Sequence, residues 1–263
     1  MVKKNITLMA STAVALLALS QGTAFAATTP VDYNSNATLT LEASTDPTKP
    51  VDPTDPDPTD PVTPVDPTDP TKPITPGTDG PLSIDYASSL DFGTQKIVSS
   101  DQTYTAAPQE YKTASGVTTY GPNYVQVTDN TGSDQGWSLN VTQVGQMSDG
   151  SSPLNGASLS FTNGNVLTTA SSDAGIPDTQ GSLTLTPGVT AKVTTAEANK
   201  GQGTWVTRYG SASGTDKATV AAADSGKAIS LFVPGAATKR AAVYTSVLKW
   251  NLSQTPSANT AIK

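Results

Sequence analysis

The chain has 263 residues and a formal net charge of −7 at pH 7, and it contains neither cysteine nor histidine. The missing imidazole excludes Ser-His-Asp and Cys-His catalytic arrangements and histidine-based zinc sites, and the missing thiol excludes disulfides. The acidic balance leaves no basic footprint for a nucleic acid, so we expect no nucleic-acid partner.

Residues 1–26 have the three parts of a secretory signal peptide. Lys3 and Lys4 form a basic start, residues 8–19 form an apolar run, and residues 24–26 read Ala-Phe-Ala, a small-x-small cleavage site. The apolar run is shorter than the roughly 20 residues that a transmembrane helix needs. We therefore predict export, cleavage after Ala26, and no membrane span after cleavage.

Residues 27–45 contain one segment with strand periodicity, Asn36–Glu42. In an extended conformation Ala37, Leu39 and Leu41 would share one face, and the two threonines between them would face water. The pattern predicts an N-terminal strand segment.

Residues 46–80 form a segment built on Asp-Pro-Thr repeats, with eleven prolines and eight aspartates. Proline fixes φ and removes the amide donor, so this composition is typical of an extended, polyproline-like spacer and not of a helix or a central strand. The sequence leaves two interpretations open: a stalk or long insertion, or a disordered surface loop that binds nothing.

From residue 81 to residue 263 the chain has short β-rich runs separated by Gly, Asn, Asp and Ser. Asp129-Asn130-Thr131-Gly132 and Asn163-Gly164 are the clearest turn signals, and Asn-Gly is typical of a hairpin. The predicted strands are Leu82–Tyr86, Asp91–Ile97, Tyr124–Thr128, Gly136–Gly145, Ala157–Thr162, Gly181–Thr186, Val189–Thr195, Gly203–Thr207, Ala228–Val233 and Val243–Leu252. This pattern predicts an all-β fold, an antiparallel β-sandwich or barrel-like domain.

Two Trp-x-Leu triplets are the most specific feature of the chain. Trp137 and Leu139 lie two residues apart in one predicted strand, and Trp250 and Leu252 repeat that spacing in another. Because successive side chains of a strand point to opposite faces, each tryptophan shares a face with its leucine. We expect the two triplets to lie near each other in the fold.

These triplets and their flanks resemble the WxL-domain surface proteins of Gram-positive bacteria. The resemblance covers the chain after the signal and includes the Asp-Pro-Thr segment, Gly80-Pro81-Leu82-Ser83-Ile84-Asp85-Tyr86, Asp91-Phe92-Gly93-Thr94-Gln95 and Leu248-Lys249-Trp250-Asn251-Leu252. It implies non-covalent attachment to the cell wall, with peptidoglycan as ligand and other exported wall proteins as partners in a surface complex. Residues 256–263 carry no hydrophobic tail, which is consistent with non-covalent retention at the cell surface.

Carried over from the family motif, the ligand-binding residues are Trp137, Leu139, Trp250 and Leu252, with no cofactor and no metal. An indole face can stack on the C–H face of a sugar ring. The same residues also fit a second interpretation, because tryptophan and leucine in the middle of alternating strands usually form core. Trp205 is open to the same two interpretations.

Other side chains give weaker signals for binding. The tyrosines in the first half of the domain could line a carbohydrate groove, and Lys239, Arg240 and Lys249 could contact phosphates or carboxylates. Most acidic residues occupy turn sequences, which explains them without catalysis, so we predict that the protein is not an enzyme. The alternative function is a structural or adhesin subunit that binds another surface protein and reaches the wall through it.

Overall fold

A computed structural model describes residues 32–168 and 175–254. The chain divides into two units, Met1–Thr40 and Leu41–Lys263. In the described part of the first unit, residues 32–40, there is no helix or strand. The predicted signal peptide lies outside the described residues. The strand predicted over Asn36–Glu42 is absent, and Leu39 and Leu41 are both 83% exposed.

The second unit is almost entirely β-structure, as the sequence predicts. Its one described helix, α1 (Lys217–Ala222), is capped by Asp216, whose carboxylate accepts the Ala218 N–H. The described strands are β1 (Thr63–Pro64), β2 (Leu82–Ala87), β3 (Gln102–Thr105), β4 (Gln109–Lys112), β5 (Thr118–Gly121), β6 (Asn123–Asp129), β7 (Trp137–Gln143), β8 (Ser158–Phe161), β9 (Gly164–Leu167), β10 (Asp178–Thr179), β11 (Leu183–Leu185), β12 (Thr190–Ala196), β13 (Gly203–Tyr209), β14 (Ile229–Val233) and β15 (Leu248–Gln254).

Three four-stranded antiparallel sheets surround one hydrophobic core. Their strand orders are β2-β6-β13-β9, β11-β8-β14-β3 and β10-β12-β7-β15. Each sheet contributes alternate residues to the core, for example Val127 and Trp205 from the first, Phe161 and Ile229 from the second, and Leu139 from the third. This arrangement confirms the predicted all-β antiparallel, barrel-like class.

The proline-rich segment forms part of this fold, so its prediction as a spacer is wrong for residues 49–66. Val51 is 0% exposed, and its N–H donates to the side-chain oxygen of Gln126 on β6 at 2.8 Å. The Gln126 amide in turn donates to the Lys49 carbonyl at 2.9 Å. Further along the segment, β1 pairs with β4 in a separate three-stranded sheet, β1-β4-β5.

The segment covers a face of tyrosines. Val51 packs with Tyr86, Tyr124 and Val206, and the Tyr111 hydroxyl donates to Asp52 at 3.0 Å. Extended proline-rich chain commonly docks on aromatic surfaces, because its backbone is ordered beforehand. The predicted carbohydrate groove of tyrosines is therefore wrong for Tyr111 and Tyr124, which are buried against the protein's own chain.

Two local predictions fail for identifiable reasons. Residues 91–97 form no strand, because the Asp91 carboxylate accepts the Gly93 N–H at 2.8 Å and Gly93 has φ +68°, which turns the chain. Asn163-Gly164 does turn the chain, with φ +54° at Asn163, but no hairpin forms there. The strands on its two sides enter different sheets, since β8 pairs with β14 and β11 whereas β9 pairs with β13.

Candidate functional site

The two Trp-x-Leu triplets lie on neighbouring strands, which confirms the predicted proximity. β7 and β15 pair antiparallel, with Leu139 directly opposite Leu252 and Trp250 opposite Val141. Trp137 lies opposite Gln254, so the two indoles flank the leucine pair from opposite ends of the ladder. Directly opposed residues of antiparallel strands have Cβ atoms about 5 Å apart, so the leucines are in side-chain contact range.

Trp137 is a core residue. It is 0% exposed, and its indole N–H donates to the Gly201 carbonyl at 2.9 Å. Gly201 has φ +79°, and a Cβ there would stand 2.7 Å from the indole nitrogen, so only glycine lets the backbone approach this closely. Leu139 is equally buried. Neither residue has surface to offer a ligand in this fold.

Trp205 is also a core residue. It is 2% exposed, and its indole N–H donates to the Gln202 carbonyl at 2.9 Å. The core interpretation, which the sequence left open, therefore holds for Trp137, Leu139 and Trp205.

Trp250 and Leu252 have a different environment, because β15 is the edge strand of its sheet. Both side chains, with that of Leu248, pack against the core and remain partly exposed. Of the two motif residues, Trp250 also lines a cleft of about 320 Å³. The outer face of the strand carries the exposed residues Lys249 and Asn251.

The cleft joins three parts of the chain. Its walls come from β15, from β2, and from residues 74–78 at the end of the proline-rich segment, with Asp66 and Ser89 at its border. A volume of about 320 Å³ lies at the lower end of the range for small-molecule sites. Its lining residues are Asp66, Ile74, Thr75, Pro76, Gly77, Thr78, Ile84, Asp85, Tyr86, Ala87, Ser89, Leu248 and Trp250.

Asp85 is a buried carboxyl group that sits at the register shift of β2 between Ile84 and Tyr86. It accepts hydrogen bonds from the Ser83 and Thr128 hydroxyls, each at 2.6 Å, and from the Gln126 amide at 2.9 Å. Burial raises the pKa of Asp85 above 3.8, and the three hydrogen bonds oppose that rise only in part.

The pKa of Asp66 is shifted in the opposite direction to that of Asp85. Partial burial acts to raise its pKa, but hydrogen bonds from Thr68 and Ser89 outweigh it, so the net shift is downward from 3.8. The Thr68 hydroxyl and N–H donate to one carboxylate oxygen at 2.6 and 2.8 Å, and the Ser89 hydroxyl donates to the other at 3.2 Å. Asp66 is therefore ionised at neutral and mildly acidic pH.

Of the basic residues proposed to contact phosphates, Lys239 and Arg240 already have partners within the protein. The Lys239 ammonium donates to the carbonyls of Pro234 and Gly235 at 2.7 and 2.9 Å, and Arg240 lies 3.6 Å from Asp149. Lys249 is exposed on the face of β15 opposite Trp250. Sequence reasoning did not find the cleft, because Asp66 and Trp250 are far apart in the chain and no motif links them.

Within the described residues, no helix is long and apolar enough to cross a membrane. The same residues hold no group of three or more acidic, cysteine or histidine side chains suited to a metal ion. A family model described as "WxL domain surface cell wall-binding" matches residues 28–256, which is most of the chain. Neither the curated proteins nor the solved structures gave a significant match.

Proposed function

The chain belongs to the WxL family of surface cell-wall-binding domains, and from this we propose that it binds peptidoglycan directly, through the cleft beside Trp250. The observation that supports the proposal is the contrast between the two motif tryptophans. Trp137 is enclosed, whereas Trp250 is only partly buried and lines a cleft with both polar and apolar walls. An indole in that position can pack on a sugar ring or on an alkylammonium group of the wall polymer.

We propose further that the protein is exported from a Gram-positive cell and works by attachment and not by catalysis. The family description names wall binding and no reaction. Asp85 and Asp91, two carboxylates near the start of the β domain, have structural partners, since Asp85 accepts three hydrogen bonds and Asp91 shapes a turn. Export is supported by the signal-like sequence of residues 1–26.

The test is a pull-down of the purified protein on peptidoglycan that has been stripped of teichoic acid and protein. We expect the unmodified chain to sediment with the wall and Trp250→Ala to bind about tenfold more weakly, which is the loss typical of an interface aromatic. Lys249→Ala is the matched control, because it changes the next residue on the opposite face of the same strand. Equal binding of both variants would refute the role of Trp250.

A second candidate function rests on a different surface. Val144 and Val247 are exposed at 56% and 64%, and they lie opposite each other at one end of the β7-β15 pair, where the Val144 N–H donates to the Val247 carbonyl. Such a small apolar patch suits contact with another exported wall protein. A double variant with serine in place of Val144 and Val247 should then lose that partner in cross-linking while it still binds stripped peptidoglycan.

A further inference from the structure

The charged side chains that line the cleft beside Trp250 are all acidic. Two aspartates, Asp66 and Asp85, line it, and no lysine or arginine does. Residues 81–263, which supply β2 and β15, carry 12 acidic and 11 basic side chains and are close to neutral, and Asp66 comes from the acidic proline-rich segment, which has eight aspartates and two lysines. A neutral sugar would not require such an arrangement.

The two carboxyl groups differ in what they can give a ligand. Asp85 is buried and already accepts three short hydrogen bonds. Asp66 is only partly buried, and the Ser89 hydroxyl donates to its second oxygen at the long distance of 3.2 Å. Because a carboxylate oxygen can accept about two hydrogen bonds, Asp66 retains capacity for a donor from the cleft.

The indole ring of Trp250 favours a positively charged hydrogen-bond donor. An ammonium group held over an indole face is attracted by the ring quadrupole, and a neighbouring carboxylate adds a charge-assisted hydrogen bond. Apolar side chains of the cleft, Ile74, Ile84 and Leu248, would contact the methylene chain that carries such an ammonium group.

We propose that this cleft binds a primary ammonium group on an alkyl chain, as carried by the free diamino acid of a peptidoglycan stem peptide. Asp66 receives the ammonium, and Trp250 packs over it. This inference rests on the proposed function, and it assigns the recognised part of the wall to the peptide and not to the glycan. It also makes uncross-linked stems the preferred ligand, since a cross-link consumes the amine.

The experiment compares two preparations of the same stripped peptidoglycan, one untreated and one with its amines N-acetylated, in pull-downs with the full chain. Acetylation removes the ammonium charge and leaves the glycan intact. We expect binding to the acetylated wall to be at least tenfold weaker. Nα-acetyl-lysine methylamide should compete with the untreated wall, and its Nζ-acetylated form should not.

Two variants test whether binding depends on the charge inside the cleft or only on the overall charge of the protein. Asp66→Asn should bind both preparations with the same low affinity, whereas Asp69→Asn, in the same segment and outside the cleft lining, should behave as the parent does. Thermal melting checks that each variant folds, and the acetylation comparison does not depend on either of them. Equal binding to both preparations by the parent would overturn this inference and leave the proposed function intact. Binding to neither would overturn both.

Discussion

Trp137 and Trp250 hold equivalent positions in the two triplets, yet their rings have different roles. The ring of Trp137 is enclosed between strands and donates to Gly201. That of Trp250 lies at an open edge beside a cleft. The difference arises from strand position, because β7 has neighbours on both sides and β15 has one. One triplet is therefore enclosed in the core, and the other remains partly exposed at the sheet edge.

Trp137→Phe should destabilise the protein without touching the binding surface. The change removes the indole N–H, leaves the Gly201 carbonyl unpaired and opens a gap in the core, which together cost about 2–4 kcal/mol. Urea unfolding followed by circular dichroism measures the loss. Lys249→Ala serves as the surface control and should stay within about 0.5 kcal/mol of the parent. A Trp137→Phe variant as stable as the parent would contradict the core role.

Asp85 should give the free energy of unfolding a pH dependence of unusual sign. Its pKa is raised in the folded state by burial, so the folded protein holds the proton more tightly than the unfolded chain does. As pH rises from about 3.8 through the folded pKa, the contribution of Asp85 to stability falls. The measurement is the difference in unfolding free energy between the parent and Asp85→Asn, taken from pH 3 to pH 8.

Between the unfolded-state and the folded-state pKa of Asp85, the free energy of unfolding of the parent should fall relative to that of Asp85→Asn. Outside that interval the two free energies should change with pH in parallel. Carboxylates whose pKa is lowered, such as Asp66 and Asp224, are common to both proteins and cancel in the difference. A difference that stays constant with pH would show that the carboxyl titrates as it does in the unfolded chain.

At the scale of elements, residues 49–66 of the proline-rich segment form a packed part of the domain and not a spacer. Between residues 49 and 66 it supplies the buried Val51, the ladder of β1 with β4, and backbone hydrogen bonds to Gln126. Proline is tolerated there because the segment lies at the margin of the structure, where an absent N–H breaks no central ladder. Residues 74–78 then form one wall of the cleft.

Replacing residues 46–66 with a Gly/Ser chain of equal length tests this role. The change would uncover Tyr86, Tyr111 and Tyr124 and leave Gln126 without its backbone partners. We expect the melting temperature to drop by roughly 10 °C or more, since several kcal/mol of burial and hydrogen bonding are lost. Thr59→Ala, which removes only a hydroxyl contact within the segment, is the control. An unchanged melting temperature would restore the spacer interpretation.

At the scale of the whole domain, the three four-stranded sheets share one large core, and two smaller hydrophobic clusters are separate from it. This architecture predicts that the strands of the second unit unfold together. Urea transitions followed by tryptophan fluorescence, which reports on Trp137, Trp205 and Trp250, should coincide with those followed by far-ultraviolet circular dichroism. Two separate transitions would mean that one sheet is stable without the others.

The sequence by itself determined the all-β class, most of the central strands, and the proximity of the two strands that carry the Trp-x-Leu triplets. Alternation in Gly136–Gly145 and Val243–Leu252 is a local property, so β7 and β15 were predictable from their own residues. The short strands β3, β4, β5 and β9 were missed, because each has only four residues and too few apolar positions for a periodic signal.

Tertiary structure alone decided which residues are core and which are surface. The same Trp-x-Leu pattern is enclosed on β7 and partly open on β15, because burial depends on the neighbours that a strand acquires and not on its own sequence. The proline-rich segment looked solvated for the same reason, since its partners Gln126 and Tyr111 lie far along the chain. The cleft joins Asp66 to Trp250 across 184 positions, and only folding brings them together.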